Sequence, residues 1–569
     1  MSTPALPSAT FLERRSWRRI AVAILALLFL NGMLSFRDWW PTPGILPDHR
    51  LAPEFVWLWL ALLAMVAWRG KLSSRALSVF ALTYFLLVLG RYGDVTVPSL
   101  FGRPINLYWD GAQIPRFVWV SAQKLAWWQS TALVAGVSLL FWSLFRLLRL
   151  TIAIAARDAV PYTLRSRWAW GLTAAAVVLA AGNLAGVSAT WPLVSKPVIP
   201  TYWRQMQLLA TAFLPQRQVD LLPAATAVDA AMAAAPGSAL AALGGRDVYL
   251  IMLESLGAVV YDNPRAEKVL RASRERFATD IAASGRQVVS AFFRSPTFAG
   301  GSDLAHLGLL SGIDLSDPMR YDVLLTTQRP TLNSLFRAQG YQIFGVYSAL
   351  DWEWPERAFY GFDILLTRRD LGYAGPAMGY WEIPDQFTAA RFEQLYPRDG
   401  NAPPRLVFFP TITCHLPFSP IPPFQPDWPR VLGAQPFDDS EVHRALAERP
   451  NWLDMFPDFV RMVSYTYQWL GAYLRQPEPR EAIYVLIGDH QPAANITGDD
   501  ASWDVPVYIV SRDSKLLARF VEQGFHHGLE PPRKSLGALH ALTGMLLHAF
   551  SAPDADQPAA SVPLAETKL

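Results

Sequence analysis

Apolar runs separated by short basic segments dominate the first third of the chain. Five runs of roughly 15–22 mostly apolar residues lie at 20–36, 54–68, 76–90, 127–148 and 168–188. A helix needs about 20 such residues to cross the hydrocarbon core of a bilayer. We therefore predict a transmembrane domain over residues 1–189 with five spans, or four if one run pairs differently.

The basic residues predict which way the spans run. They cluster before the first run, between the second and third, and between the fourth and fifth: Arg14, Arg15, Arg18 and Arg19; Arg69, Lys71 and Arg75; Arg146, Arg149, Arg157, Arg165 and Arg167. With five spans all three clusters fall on one side, which the positive-inside rule makes the cytoplasm. This pattern predicts a multi-pass protein of a bacterial-type inner (cytoplasmic) membrane, with the rest of the chain outside the cytoplasm.

The first run could instead belong to a cleaved signal peptide. The residues after it, Arg37-Asp38-Trp39-Trp40, show no small-residue cleavage pattern, and the Trp pair is typical of an interfacial aromatic belt. The polar, aromatic-rich loop at 91–124 lies on the outer side in this topology. It is either a segment that lies on the bilayer or one that helps admit a lipid head group to a site outside the membrane.

The second half has a different pattern. After a Pro-containing connector at 190–245, short apolar runs at 247–255, 287–293, 341–347, 405–410, 482–487 and 505–510 predict buried strands. Amphipathic segments at 265–284, 331–339, 451–475, 516–523 and 539–550 predict helices, the third interrupted near Pro457. Such alternation predicts an α/β domain over 246–550 with a mostly parallel sheet covered on both faces, followed by a polar tail at 551–569.

Composition agrees with a membrane protein that carries a soluble domain. The 569 residues are 52% hydrophobic and only 17% charged, and 22 of them are Trp. A net charge of +3 gives no support to nucleic-acid binding. The single cysteine, Cys414, rules out an intramolecular disulfide and a Cys-based zinc site.

Polar residues follow two of the predicted strands at the point where each ends. Glu254 follows VYLIML, and Asp489-His490 follows IYVLIG. Because the carboxyl ends of parallel strands meet at one edge of a sheet, we expect these side chains to converge there. Each of the two has a plainer interpretation. Glu254 could cap a neighbouring segment, and Gly-Asp-His is so short that it often arises by chance.

The segment 295–312, SPTFAGGSDLAHLGLLSG, places Ser302 between a Gly-Gly pair and an apolar-periodic run. This is the layout of a nucleophile at the start of a helix, although Ser is also a common N-cap. A set of Glu254, Ser302, Asp489 and His490 suits one divalent ion, Zn²⁺ or Mn²⁺ rather than Ca²⁺. A metal could activate the serine and neutralise charge on a phosphoryl oxygen.

Together these motifs resemble the alkaline phosphatase/sulfatase superfamily, and most of all its lipoteichoic acid synthase branch of membrane phosphoglycerol transferases. The matching stretches are Leu253-Glu254-Ser255, Gly301-Ser302, Leu309-Leu310-Ser311-Gly312 and Gly488-Asp489-His490-Gln491-Pro492. The resemblance implies five spans, an external sulfatase-like domain, metal ligation by the residues above, and Ser302 as the nucleophile. It also implies a membrane lipid as donor and a cell-envelope glycan or lipid as acceptor.

The same resemblance points to three residues near the substrate. His415 stands before Leu416-Pro417-Phe418 like that branch's substrate-site His, and Trp354 and Arg357 resemble its head-group contacts. His415 would serve as a general acid or base, or contact phosphate; Arg357 would bind phosphate and Trp354 would cover the head group. The plainer alternatives are a locally hydrogen-bonded His in a Pro-rich loop and an aromatic surface loop.

Three positions depart from the branch and bear on the glycerol-phosphate substrate. Ser302 stands where Thr is usual, His306 where Glu is frequent, and the spacing from Trp354 to Arg357 is one residue longer than expected. Three functions follow as hypotheses: a phospho-group transferase acting through Ser302, an ester hydrolase or phosphoethanolamine transferase of the same superfamily, and a scaffold without activity. A formylglycine sulfatase does not fit, because Ser302 lacks the Ser-x-Pro-x-Arg context, and one cysteine cannot supply the disulfides usual in phosphoethanolamine transferases.

Overall fold

The structure is a computed structural model of the chain. It describes residues 9–39, 43–101, 105, 107, 111, 126–187, 192–213, 221–234, 237–351, 354, 356–398, 402–452, 454–498 and 500–552. The chain divides into two compact units, Met1–Arg217 and Gln218–Leu569.

The first unit is helical. Its helices are α1 (Ala9–Ser35), α2 (Pro53–Arg69), α3 (Ser74–Phe101), α4 (Trp127–Ile154), α5 (Val160–Arg165), α6 (Arg167–Leu184) and α7 (Ile199–Phe213). A π-helical turn, Ala155–Ala159, joins α4 to α5, and two short strands, β1 (Arg37–Asp38) and β2 (Ile45–Leu46), pair antiparallel after α1.

Three helices in the described part of this unit are long and apolar enough to cross a membrane: Trp17–Ser35, Ser74–Pro98 and Trp127–Arg165. Helices also form at the other two predicted runs, α2 with 17 residues and α6 with 18, but neither is among these three. The predicted count of five spans is therefore not confirmed.

The run predicted at 76–90 belongs to a longer helix, since α3 continues to Phe101. Residues 91–101 of the predicted loop 91–124 are thus helical, and most of the remaining loop lies outside the described residues. Arg91 can continue the helix because it is buried with its guanidinium satisfied. Its Nε and Nη2 donate to Phe36 O at 2.9 and 2.8 Å, and its Nη1 donates to Lys196 O at 3.1 Å.

The start of the predicted connector at 190–245 also belongs to the first unit. Buried Glu54 accepts hydrogen bonds from the amides of Val198 and Ile199 at 2.5 and 3.0 Å, where α7 begins. A carboxylate beside these unpaired N–H groups stabilises the start of a helix. The division of the chain between Arg217 and Gln218 falls within the predicted connector.

The second unit is built on an eight-stranded sheet. Its strands are β3 (Asp247–Leu253), β4 (Gln287–Arg294), β5 (Gln342–Tyr347), β6 (Ile364–Thr367), β7 (Arg405–Pro410), β8 (Ala482–Gly488), β9 (Asp504–Ser511) and β10 (His526–His527), in the order β10-β4-β9-β8-β3-β7-β5-β6. β3 and β8 are buried along their whole length, which explains their unbroken apolar runs.

The sheet is mixed. The five strands β8-β3-β7-β5-β6 are parallel, as predicted, but β9, β4 and β10 add antiparallel pairs at one side. β8 and β9 are joined through residues 489–503, whose helix has four residues. A parallel crossover usually needs a full helix across the sheet face, so this connection suits the antiparallel pairing.

Helices cover both faces of the sheet. The larger helices are α8 (Ala227–Ala233), α10 (Pro264–Ala283), α11 (Ser302–Ser311), α12 (Pro318–Leu325), α13 (Leu332–Ala338), α16 (Asp385–Leu395), α18 (Asp439–Ala447), α19 (Phe456–Leu474), α21 (Ser514–Glu522) and α22 (Ala541–Phe550). Single turns are α9 (Val259–Asp262), α14 (Arg357–Tyr360), α15 (Arg368–Leu371), α17 (Trp428–Val431), α20 (Ala494–Thr497) and the 3₁₀ turn Ala241–Leu243.

The helix predicted at 451–475 begins only at Phe456. Pro457 stands in its first turn, where a missing N–H costs no intrahelical bond; it starts the helix rather than interrupting it. α19 packs against α10, with the rings of Phe277 and Tyr467 stacked at 5.4 Å between centroids.

Candidate active site

Two neighbouring parallel strands deliver three potential metal ligands to one edge of the sheet. Leu253 of β3 and Gly488 of β8 are register partners, so the residues that follow them emerge side by side. His490 Nε2 lies 3.5 Å from Glu254 Oε1 and 3.6 Å from Asp489 Oδ2. The potential ligand atoms of Glu254, Asp489 and His490 all lie within 4.8 Å of one another. We call these three residues the acidic-histidine cluster.

Backbone and hydroxyl donors orient the cluster. Asp489 Oδ1 accepts from the amides of Ser255 at 2.8 Å and His490 at 2.7 Å, and Ser255 Oγ donates to Glu254 Oε1 at 2.8 Å. Ser255 adopts φ 57°, a left-handed conformation that is uncommon for a residue other than glycine and is typical of functional sites. One oxygen of each carboxylate is thereby fixed by protein.

The imidazole of His490 is fixed in the same way. Its Nδ1 donates to Gln491 O at 2.8 Å, so in the neutral ring the lone pair is on Nε2, which faces the two carboxylates. Nε2 is buried and has no hydrogen-bond partner in the described part of the chain. A buried nitrogen in this state is what a metal ligand presents before it binds.

Burial raises the pKa of Asp489 to about 7; the charge of His490 opposes this rise and that of Glu254 adds to it. Burial also raises the pKa of Glu254, against the effect of His490. Burial alone would lower the pKa of His490, but Asp489 and Glu254 raise it overall. A bound cation would stabilise the ionised form of these two neighbouring carboxylates. Together with one imidazole, they fit a divalent ion such as Zn²⁺ or Mn²⁺.

Ser302 lies beside this cluster at the start of α11. Gly300 and Gly301 have φ values of 128° and 75°, which let the chain turn tightly into the helix, and Gly301 takes the N-cap position. Ser302 is therefore the first helical residue and not the cap. Its hydroxyl is 3.5 Å from Glu254 Oε2, a long contact. The loop before it is bonded to the residue that follows the cluster, because the amide of Ala299 donates to Gln491 O at 3.0 Å.

The loop that carries His415 leaves β7 next to Glu254. The amide of Thr411 donates to Met252 O at 2.8 Å, and Thr411 Oγ1 accepts from the amide of Glu254 at 3.0 Å. His415 Nδ1 donates to Leu416 O at 2.7 Å, which turns Nε2 away from the loop's own backbone. The described contacts thus bring the His415 loop to the same sheet edge as the cluster.

Sequence reasoning missed Asp385, which holds that loop. Its carboxylate is fully buried and accepts from the amides of Ile412 and Thr413 at 2.8 and 2.9 Å, while its own amide donates to Thr413 Oγ1 at 2.8 Å. Burial raises the pKa of Asp385 to about 6, against these hydrogen bonds. Its local pattern, Pro384-Asp385, signals only the start of a helix, and its partners lie far along the chain.

Trp354 and Arg357 are placed differently from each other. Trp354 belongs to an aromatic group with Tyr347 and Tyr360, at ring distances of 4.9 and 4.7 Å. Arg357 starts α14 with an exposed side chain, and its described hydrogen bonds are made by its backbone. In the part of the chain that the structure describes, no hydrogen bond, ion pair or ring contact joins either side chain to the acidic-histidine cluster, so their substrate roles stay predictions.

His306 lies one turn after Ser302 and is buried against Phe408, with ring centroids 5.5 Å apart. Neither ring nitrogen has a hydrogen-bond partner within the described residues. Burial, with a smaller contribution from His490, lowers the pKa of His306 to about 3, so the ring is neutral. Nothing in the sequence around His306 marks the absence of partners for its ring nitrogens, because the residues packed against it, such as Phe408, lie far along the chain.

No protein-family model matches this chain, and no curated protein does. Among solved structures, it is similar to the lipoteichoic acid synthase LtaP from Listeria monocytogenes (13% identity, 50% of this chain and 70% of that one, TM-score 0.34). It is also similar to the periplasmic domain of EptC from Escherichia coli in complex with Zn (13%, 53% and 80%, 0.35) and to the phosphoglycerol transferase GacH from Streptococcus pyogenes in complex with sn-glycerol-1-phosphate (15%, 62% and 89%, 0.33). These TM-scores are too low to support an argument about function.

Proposed function

We propose that this chain is a membrane-anchored, metal-dependent enzyme of the alkaline phosphatase/sulfatase superfamily. It transfers a phosphorylated alcohol, such as phosphoglycerol, from a membrane lipid to an acceptor through a covalent Ser302 intermediate. The observation that carries the proposal is the position of the Ser302 hydroxyl, on the first residue of a helix and 3.5 Å from a carboxylate of the acidic-histidine cluster. The motifs that resemble the lipoteichoic acid synthase branch coincide with these residues.

Glu254, Asp489 and His490 would hold one divalent ion, Zn²⁺ or Mn²⁺, with Ser302 at its open side. Bound there, the ion supplies positive charge that offsets the charge of a phosphoryl oxygen and favours the serine alkoxide. The second layer of hydrogen bonds from Ser255 and Gln491 would keep these ligands in place.

The remaining chemistry is assigned to residues of the chain. Ser302 Oγ attacks phosphorus and passes its proton towards Glu254 Oε2, and the backbone N–H groups at the start of α11 bind a phosphoryl oxygen. The Ser302–phosphorus bond forms as the bond to the lipid's alcohol oxygen breaks, and that oxygen takes a proton from His415. In the second half, the acceptor hydroxyl gives a proton to His415 as its oxygen attacks phosphorus; the bond from phosphorus to Ser302 Oγ breaks, and Oγ takes back the proton held by Glu254.

A membrane lipid is the proposed donor because the described part of the chain contains three helices long and apolar enough to cross a bilayer. With five spans, the basic clusters of the sequence would put the Ser302 unit outside the cytoplasm of a bacterial-type inner membrane. The acceptor would then be a glycan or lipid of the cell envelope.

The proposal is tested with the detergent-solubilised full-length protein and vesicles of phosphatidylglycerol. We expect divalent-ion-dependent release of diacylglycerol by the wild type, its loss in Ser302→Ala, and its retention in Ser316→Ala, an exposed serine beyond the same helix. Equal activity of Ser302→Ala and the wild type, or activity unaffected by chelation, would overturn it. Release of glycerol phosphate into water in the presence of every acceptor would identify a hydrolase instead.

A further inference from the structure

Two aromatic side chains that the catalytic proposal does not use stand against His415. The ring of Tyr380 stacks on the imidazole at 4.7 Å between centroids and an interplanar angle of 19°, and Trp381 approaches its edge at 5.7 Å and 75°. Tyr380 and Trp381 meet each other at 4.9 Å and 88°. All three side chains are half-buried, so they form an accessible right-angled surface, which we call the aromatic corner.

Hydrogen bonds fix the segment 380–385, which carries Tyr380 and Trp381, at two places. Arg368 Nη1 donates to Trp381 O at 2.9 Å and its Nη2 to Glu382 Oε2 at 2.5 Å. At the other end, Asp385 binds the backbone of the His415 loop through its buried carboxylate. Glu382 between them adopts φ 71°, a strained conformation for a residue other than glycine. A surface fixed in this way is preorganised for a ligand.

The surroundings indicate which ligand suits it. An aromatic cage can bind an ammonium group, but such a cage benefits from a nearby carboxylate. Here Glu382 is paired with Arg368 and the Asp385 carboxylate is occupied by two amides, so neither carboxylate is available to an ammonium group. Flat rings beside an imidazole that can take up a hydroxyl proton instead fit a polyol or sugar, whose C–H face packs on an aromatic ring while a hydroxyl approaches the imidazole.

We propose that Tyr380 and Trp381 form the subsite for the acceptor, and that this acceptor is a sugar or polyol whose reacting hydroxyl is directed to His415. The inference rests on the proposed transfer reaction and specifies its second half. The rings would select the acceptor after Ser302 has taken up the phosphorylated group; they take no part in the chemistry.

The test measures how the phosphorylated group on Ser302 is divided between added acceptors and water. Full-length protein is given phosphatidylglycerol vesicles with equal concentrations of methyl β-glucoside, ethanol or ethanolamine, and products on the acceptor and on water are counted. Because every product arises from the same intermediate, their ratio does not depend on how much active protein is present. We expect the wild type to favour the glucoside over ethanol at least tenfold, and Trp381→Ala and Tyr380→Ala to lose most of that preference.

Trp452→Ala is the matched control, since Trp452 is 61% exposed and belongs to the same unit; it should keep the wild-type ratio. An unchanged ratio in Trp381→Ala, or a wild-type preference for ethanolamine, would overturn the inference. A second measurement does not need turnover: saturation-transfer NMR of Ser302→Ala with methyl β-glucoside should show binding that Trp381→Ala abolishes. Its absence would also overturn the inference, whereas absence of turnover alone would count against the proposed function.

Discussion

Ser255 joins the two carboxylates of the site, because its amide donates to Asp489 Oδ1 at 2.8 Å while its hydroxyl donates to Glu254 Oε1 at 2.8 Å. The residue follows Glu254 directly and lies 234 positions from Asp489. Its left-handed backbone at φ 57° is what aims the amide at the second strand end. One strained residue thus links the two carboxylates that follow β3 and β8.

Removing the Ser255 hydroxyl should weaken metal binding. Outer-layer hydrogen bonds to metal ligands typically contribute about 10–100-fold in affinity. We expect a loss of that size in both Ser255→Ala and Ser255→Gly, measured by competition with a chromophoric chelator. The Gly variant is the control for backbone strain, since it accepts positive φ freely; affinity equal to wild type in Ser255→Gly would show that the hydroxyl is unimportant.

Metal should stabilise the protein, and Asp489 should be required for it. A ligand at about 100 times its Kd adds about 2.7 kcal/mol to the unfolding free energy. We expect Zn²⁺ or Mn²⁺ to raise the denaturation midpoint of the wild type and to leave that of Asp489→Asn unchanged. Equal stabilisation of both proteins would place the metal elsewhere.

Acid should destabilise the protein through His306. Its pKa is lowered to about 3 in the folded state from 6.5, so the unfolded chain takes up the proton first and stability is lost as pH falls below about 6.5. Each pH unit below that value costs up to about 1.4 kcal/mol. Between pH 7.5 and pH 5, His306→Leu should therefore gain about 2 kcal/mol in unfolding free energy relative to the wild type. Denaturant titrations followed by Trp fluorescence check this, and parallel pH profiles would contradict it.

Asp385 should act on catalysis through the His415 loop. In Asp385→Asn only one side-chain atom can accept a hydrogen bond, so one of the amides of Ile412 and Thr413 loses its partner. We expect kcat to fall at least tenfold while the affinity for metal changes less than twofold. Asp351→Asn, which alters an exposed ion pair with Arg369, is the control and should match the wild type. Unchanged kcat in Asp385→Asn would show that the loop keeps its place without the carboxylate.

Much of the second unit could be predicted from local pattern. The unbroken apolar runs of β3 and β8 predicted buried parallel strands, and the convergence of strand ends placed Glu254 beside Asp489 and His490. Asp385 and Tyr380 could not be predicted, because each acts on a loop about 30 positions away and nothing in their neighbourhood marks that contact.

In the first unit, the sequence located the helices but not their ends. Composition located all five helices of the predicted runs but misjudged their length: buried Arg91 reads as the end of a span, yet its bonds to Phe36 and Lys196 let α3 continue. A charged side chain can lie within an apolar helix when backbone carbonyls of distant residues accept its hydrogen bonds. The sequence does not show which carbonyls these are.

The central claim is that Ser302 becomes covalently modified. Full-length protein incubated with divalent metal and phosphatidylglycerol vesicles, quenched in acid and digested, can be analysed by mass spectrometry of the Ser302 peptide. We predict an added glycerophosphoryl group on Ser302, absent from Ser302→Ala and removed when methyl β-glucoside is added before the quench. Consumption of lipid with the Ser302 peptide unmodified, or with the adduct on another residue, would contradict the account.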